Sequence, residues 1–253
     1  MATHDDQTSE MERRLALLWG ARASGRRGPR PRLSPERIAA AAVHVADTEG
    51  LEALSMQRVA AELGCAPMSL YNHVPNKEAL LELMVDTAAG EPPPAADGAH
   101  WRESVLTWVD ALWRTLRAHP WVLRAPVEHA PLGPRNLAWF DRLVGHLLTA
   151  GLAHGEAVSA ALHLLSVIRG MAQVTADLTR TERGTPGDGA EAARLMARVM
   201  DPDLFPALDA VVRAGVPLGS APEGDGPPQD TRFGVERFLD GVEAWVSERP
   251  PER

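Results

Sequence analysis

Leu54–Met84 reads LSMQRVAAELGCAPMSLYNHVPNKEALLELM, and its punctuation decides the fold. Ser55 is a good N-cap, and Leu54 and Val59 stand at the flanking positions where an apolar pair staples a helix start. Val59 and Leu63 continue the buried face until Gly64, a natural helix stop. Only Gly64-Cys65-Ala66 separates this helix from the next, which Pro67 opens. That second helix must finish near Val74-Pro75, because proline disfavours helix in the residue before it. Asn76 then caps another helix with Leu80, Leu83 and Met84 inward. Upstream, Ser34 caps a helix that opens at Pro35, carries Ile38, Ala42 and Val45 as its apolar stripe, and stops at Gly50. Two helices joined by a short glycine-containing turn have helix-turn-helix geometry, with Pro67–His73 as the recognition element.

The residue types in this window suit DNA. It holds the only Tyr, Cys and Lys of the chain (Tyr71, Cys65 and Lys77), every other cation being Arg. Leu70 locks the recognition helix onto its own domain. The Tyr71 hydroxyl, His73, Lys77 and Ser55 offer donors to phosphate oxygens, fixing register. Met68, Ser69 and Asn72 are short enough to reach base edges, Asn matching adenine and methyl groups matching thymine. Lys77 at a helix N-terminus opposes the helix dipole, so a nearby anion is the natural reason for its placement.

The bulk composition is compatible with this. At 253 residues, 45% hydrophobic, the chain can bury one large core or a small domain plus a larger one. A net charge of −8 by itself argues against a nucleic-acid partner, but distribution matters more than the sum. Between Arg13 and Arg37 stand eight arginines against one acid, Glu36. That segment reads as a solvated leader or as a local basic surface. A single cysteine excludes an internal disulfide and a thiolate zinc site, and the apolar run Leu15–Trp19 is too short for a signal-peptide core or a membrane span. A cytoplasmic protein without a membrane partner is expected. His100, His119, His129, His146, His154 and His163 are scattered, with no metal-ligand spacing, and no cofactor is expected. There is no nucleophile elbow, zinc-protease motif, phosphate-binding glycine loop or β/α alternation, so an enzyme is disfavoured.

From residue 98 to 250 the pattern is again helical, giving an all-α fold. Trp101, Val105, Trp108, Leu112 and Leu116 form one stripe, while Leu106, Val109 and Trp113 form another, so this helix is buried on two faces. A second long helix runs from Pro134 to Gly151. A third, from about Gly155 to Glu182, is expected to turn Val158, Leu162, Leu165, Ile168, Ala172 and Thr175 inward. Ser159, His163, Ser166 and Gly170 lie on a mostly small line that permits close approach of another helix. A short helix and a Gly/Pro-rich loop precede the closing helix Phe233–Val246, which offers Phe238, Val242 and Trp245. Five of the seven Trp lie between 101 and 139. Trp108, Trp113 and Trp139, with His146 and His163, are candidates to line a pocket for a small hydrophobic effector. The same Trp residues also read as core, and His163 also as an interface residue.

The Leu54–Met84 run resembles the DNA-binding domain of the tetracycline-repressor (TetR) family of bacterial regulators. The landmarks are Ala60, Leu63 and Gly64 at the end of one helix, then Ser69, Leu70, Tyr71, His73, Val74 and Lys77. The resemblance implies that Tyr71, His73 and Lys77 position the protein on phosphate, while Pro67, Met68, Ser69 and Asn72 face the groove. It also gives the Arg-rich leader a use, as an arm in which Arg26, Arg27, Arg30 and Arg32 lie along the backbone or enter a minor groove. Three parts are expected: an extension over 1–33, a helix-turn-helix domain over 34–88, and a helical regulatory and dimerisation domain over 98–250. A dimeric repressor on a pseudo-palindromic double-stranded operator, released by the effector, is the implied function. An effector-independent regulator or activator is the alternative.

Overall fold

The computed structural model describes residues 4–23, 33–94, 98–126, 131–182, 198–216 and 224–248. Among them there is no strand. The chain forms two compact units, Met1–Ala161 and Leu162–Arg253.

In the first unit, α1 (His4–Ala23) precedes α2 (Pro35–Glu49), α3 (Met56–Leu63), α4 (Pro67–Tyr71) and α5 (Lys77–Ala89). The caps fall where the sequence places them. Ser34 Oγ accepts from Arg37 N, Ser55 Oγ from Arg58 N at 3.1 Å, and Asn76 Oδ1 from Ala79 N at 2.8 Å. Gly64 closes α3 in the left-handed region at φ 64°, a conformation that carries little cost only for glycine. Pro67 at the first position of α4 needs no N–H partner. Leu54, Val59, Leu70, Val74, Leu80 and Met84 are all at most 2% exposed and form the core of this helical cluster. Each contributes about 1.5–3 kcal/mol of burial. Arg58 adds an external clamp, bonding Glu49 of α2 and Glu62 of α3.

The same unit continues with α6 (Trp101–Ala118), α7 (Pro134–Thr149) and the start of α8 (His154–Glu182). Both faces of α6 are buried, through Val105, Trp108 and Leu112 and through Val109 and Trp113. In α7, Trp139, Leu143 and Leu147 face inward.

The second unit comprises the rest of α8, α9 (Pro206–Arg213) and α10 (Gln229–Ser247). Leu164, Ile168 and Ala172 are buried on α8, and Thr231, Val235, Leu239 and Val242 on α10. None of α9 is buried.

Three expectations change. Residues 4–23 are a helix, so the solvated-leader reading of Arg13–Arg37 fails for its first part, and Leu18, 5% exposed, docks α1 onto the rest of the unit. On α8 the buried line is Ala157, Ala161, Leu164, Ile168 and Ala172. Val158 and Leu162, expected inside, are 40% and 51% exposed, because small alanines let the first turns of α8 pack on a neighbouring position of the helix wheel. On α10, Val242 is buried rather than offered outward, while Trp245 remains 55% exposed.

Candidate nucleic-acid interface

Leu70 and Val74 are completely buried and hold α4 on the domain, so the opposite face of this short helix points out. Met68 is 73% exposed and Tyr71 44%, so neither side chain belongs to the core. Pro67, Asn72 and Lys77 are also exposed, with Ser69 and His73 half-buried. The described helix ends at Tyr71, but Asn72 keeps αR angles (φ −69°, ψ −18°), so its side chain follows the same spiral. Ser55 Oγ accepts the Arg58 N–H yet keeps its own O–H to donate to a phosphate. Lys77, first residue of α5 after the Asn76 cap, places an ammonium at the positive end of that helix. Arg58, by contrast, is occupied by two carboxylates. Their hydrogen bonds push its pKa up, and the bond from Arg58 holds Glu49 below the usual carboxylate value. Arg26, Arg27, Arg30 and Arg32 lie outside the described residues.

α5 is joined to α7, and α2 to the segment that follows α6, by polar bonds that sequence reading missed. Asp86 of α5, with a side chain 5% exposed, puts Oδ1 within 3.0 Å of the Arg135 and Asn136 backbone N–H groups and 3.1 Å of Asn136 Nδ2. It therefore caps α7 from another element. A Cβ built on Gly133 would land on the Asp86 carboxylate, so only glycine admits this approach. In return, Trp139 Nε1 of α7 donates to Ala89 O at 2.9 Å and Gly90 O at 3.2 Å, satisfying the C-terminal carbonyls of α5. Asp47 of α2 accepts from Trp121 Nε1 at 2.7 Å and bonds His119 Nδ1 at 2.8 Å. One signal was available. α7 opens Gly133-Pro134 with no capping side chain of its own, so its first N–H groups need an acceptor from elsewhere.

The pocket candidates separate. Trp108 and Trp139 pack edge to face, ring centroids 5.6 Å apart, and Trp108 Nε1 donates to Trp139 O. Trp108 is thus committed to the α6–α7 contact, whereas Trp139 spends its N–H on Ala89 and Gly90 and also lines the open cleft beside them. Trp113 is fully buried, and its Nε1 has no hydrogen-bond partner among the described residues. His146 is half-buried on α7, and burial, then Arg142, lower its pKa. His163 belongs to the second unit, where it is exposed and stacks on Phe238 with centroids 5.2 Å apart. An open cleft of about 490 Å³ lies against the end of α5, α6 and Trp139. Among the described residues no group of His, Cys, Asp or Glu is arranged to hold a metal ion.

Comparison with known proteins agrees with this geometry. Residues 38–84 match the model of bacterial regulatory proteins of the tetR family, and residues 93–246 match the tetracyclin repressor-like C-terminal domain. The chain is 34% identical to the HTH-type transcriptional repressor DrrR1 of Streptomyces coeruleorubidus, across 99% of this chain and 92% of that one. It is 27% identical to the Escherichia coli tetracycline repressor protein class A from transposon 1721, over 73% and 83% of the two chains. Among solved structures, Streptomyces coelicolor ActR in complex with actinorhodin matches with a TM-score of 0.70 at 27% identity, covering 87% of this chain and all of that one.

Proposed function

The chain belongs to the tetR family of bacterial regulatory proteins, and from that premise we propose a cytoplasmic transcriptional repressor that a small apolar effector releases from DNA. The observation that carries this reading is the outward set Met68, Tyr71, Asn72 and Lys77 over the buried Leu70–Val74 anchor. Tyr71, His73, Lys77 and Ser55 donate to phosphates. Pro67, Met68, Ser69 and Asn72 read the groove, and Arg27 and Arg30 extend the interface along the backbone.

One recognition helix this short reads few base pairs, so the protein acts as a homodimer on a pseudo-palindrome. The second copy covers α8. Its stretch His154–Asp177 is long and apolar enough to cross a membrane, yet only 28% of its most apolar 18-residue window is buried within the chain. Ser159, Ser166 and Gly170 expose a narrow small-residue line there, which suits another helix at close range. Exposed Phe233 and Trp245 of α10 join that seam. The 34–88 segment is the DNA-binding domain and 98–250 the regulatory domain. ActR, which takes actinorhodin, is the guide to effector type: a small ligand held in the helical domain, with Trp113 and His146 touching it. Movement of α6 and α7 on ligand binding reaches α5 through Asp86 and Trp139, shifting the population of DNA-competent dimers.

Selection of duplexes from a random library by the full chain tests the reading. Enrichment of a two-fold-related motif, with half-sites one helical turn apart, is the expected result, and recovery of random sequence refutes it. A screened compound that releases the selected duplex establishes the sensor, whereas a regulator lacking an effector keeps its duplex against every compound.

A further inference from the structure

The N-terminal helix closes a ring of interactions whose members the DNA reading leaves unused. Arg14 grips Glu82 of α5 in a fork, Nη2 to Oε1 at 2.7 Å and Nε to Oε2 at 3.1 Å, both side chains only 14% exposed. One turn later on α5, Asp86 caps α7. Trp19 Nε1 donates to Leu132 O at 3.2 Å, in the residue before Gly133. The bonds therefore run from α1 to α5, from α5 to α7, and from the segment leading into α7 back to α1. Leu18 is buried at the centre, in a space shared with Val85, Leu132 and Asn136 whose remaining void is about 10 Å³. A void of that size holds one water at most, so the region is a packed joint with no room for a ligand.

We propose that Arg14 and Trp19 are positioning residues for DNA binding: α1 is a clamp that fixes the angle of α5 against the start of α7. The inference rests on the helix-turn-helix reading of α3 and α4. Because α5 carries Lys77 at one end and Asp86 near the other, its inclination sets where the recognition surface points. Cutting the clamp lets α5 sample several inclinations, and the DNA-competent fraction falls. Apparent affinity weakens in proportion to that fraction. The cations that meet phosphate are all retained, so the salt dependence of binding stays as it was.

The test uses full-length Arg14→Met and Trp19→Phe variants, the latter keeping an aromatic ring while losing the N–H. Hydrogen exchange is read without DNA, and affinity is read on the duplex selected by the wild-type chain. Expected results are roughly tenfold faster amide exchange in residues 80–89 and 131–136, with affinity weakened about three- to tenfold at an unchanged salt slope. The charge swap Arg14→Glu with Glu82→Arg restores both. Exchange that rises only within α1 overturns the proposal, since α1 then merely rests on the domain. An affinity loss with a flatter salt slope also overturns it, because α1 is then a backbone-binding arm. If the wild-type chain enriches no duplex, the repressor reading fails, while the exchange result still decides whether the clamp exists.

Discussion

Replacing Asp86 with alanine removes one buried oxygen that receives three N–H donors at 3.0, 3.0 and 3.1 Å. Two of those donors are backbone groups in the first turn of α7, which has no cap of its own. A hydrogen bond to a charged acceptor contributes about 1.5–3 kcal/mol, and a buried donor left without a partner costs about 1–3 kcal/mol. The negative charge at a helix N-terminus adds about 0.3–1 kcal/mol. Shortening the side chain opens space through which water reaches the orphaned N–H groups, so the low end of these ranges applies. The expected loss for Asp86→Ala is about 3 kcal/mol, and for Asp86→Asn, which keeps the acceptor and loses the charge, about 1 kcal/mol. Urea unfolding followed by circular dichroism measures both. Gly133→Ala reaches the same site from the other side, pushing a methyl group into the carboxylate. The double variant Asp86→Ala with Gly133→Ala therefore loses less than the two singles together, since the clash disappears with the carboxylate. A loss below about 0.5 kcal/mol for Asp86→Ala at unchanged denaturant slope refutes the capping role. Strict additivity of the pair refutes the shared site.

Tyr71→Phe combined with Lys77→Ala lowers the slope of log affinity against log salt by about one for each phosphate no longer neutralised, with stability within about 0.5 kcal/mol of wild type because both side chains are exposed. Filter binding across a salt series reads it. Asn72→Ala weakens the selected duplex by about 1–3 kcal/mol and relaxes preference at one base position, which repeated selection with the variant detects. Trp245→Glu, on the exposed face of α10, converts the proposed dimer to monomer in sedimentation velocity, and an unchanged dimer removes this helix from the seam. His146 has its pKa lowered by burial, so the unfolded chain binds the proton more readily. Its share of stability is complete above the unfolded-state pKa near 6.5 and is lost as pH falls below it. His146→Gln therefore shows a smaller drop in melting temperature between pH 7.5 and 5.5 than wild type.

Which side of α4 is anchored and which is outward needed no tertiary information. Leu70 and Val74 are apolar where the helix must anchor, and Met68, Tyr71 and Asn72 occupy the remaining directions of the same short spiral. The Trp residues were harder to sort, because an indole in a helical stripe looks the same whether it lines a pocket or fills a core. What separated them was the fate of each N–H. Trp108 and Trp139 spend theirs on backbone carbonyls, whereas that of Trp113 finds no acceptor among the described residues. On α8 the period of 3.6 residues over 29 positions left the buried side open by one residue, enough to misplace Val158 and Leu162.

Where α2, α3 and α5 begin follows from residues at their own boundaries, whereas α4 ends at Tyr71, short of the expected His73. Ser34, Ser55, Gly64 and Asn76 act on backbone groups within one turn, so the chemistry of capping is local and legible in the chain. The helix over residues 4–23 and the capping of α7 by Asp86 came to light only in the folded molecule. Arg14 and Glu82 are 68 positions apart, Asp86 and Asn136 are 50, and Trp19 and Leu132 are 113. Pairings at such separations leave no periodic trace along the chain. They exist because a buried donor or carboxylate must find a partner once folding has removed water from it.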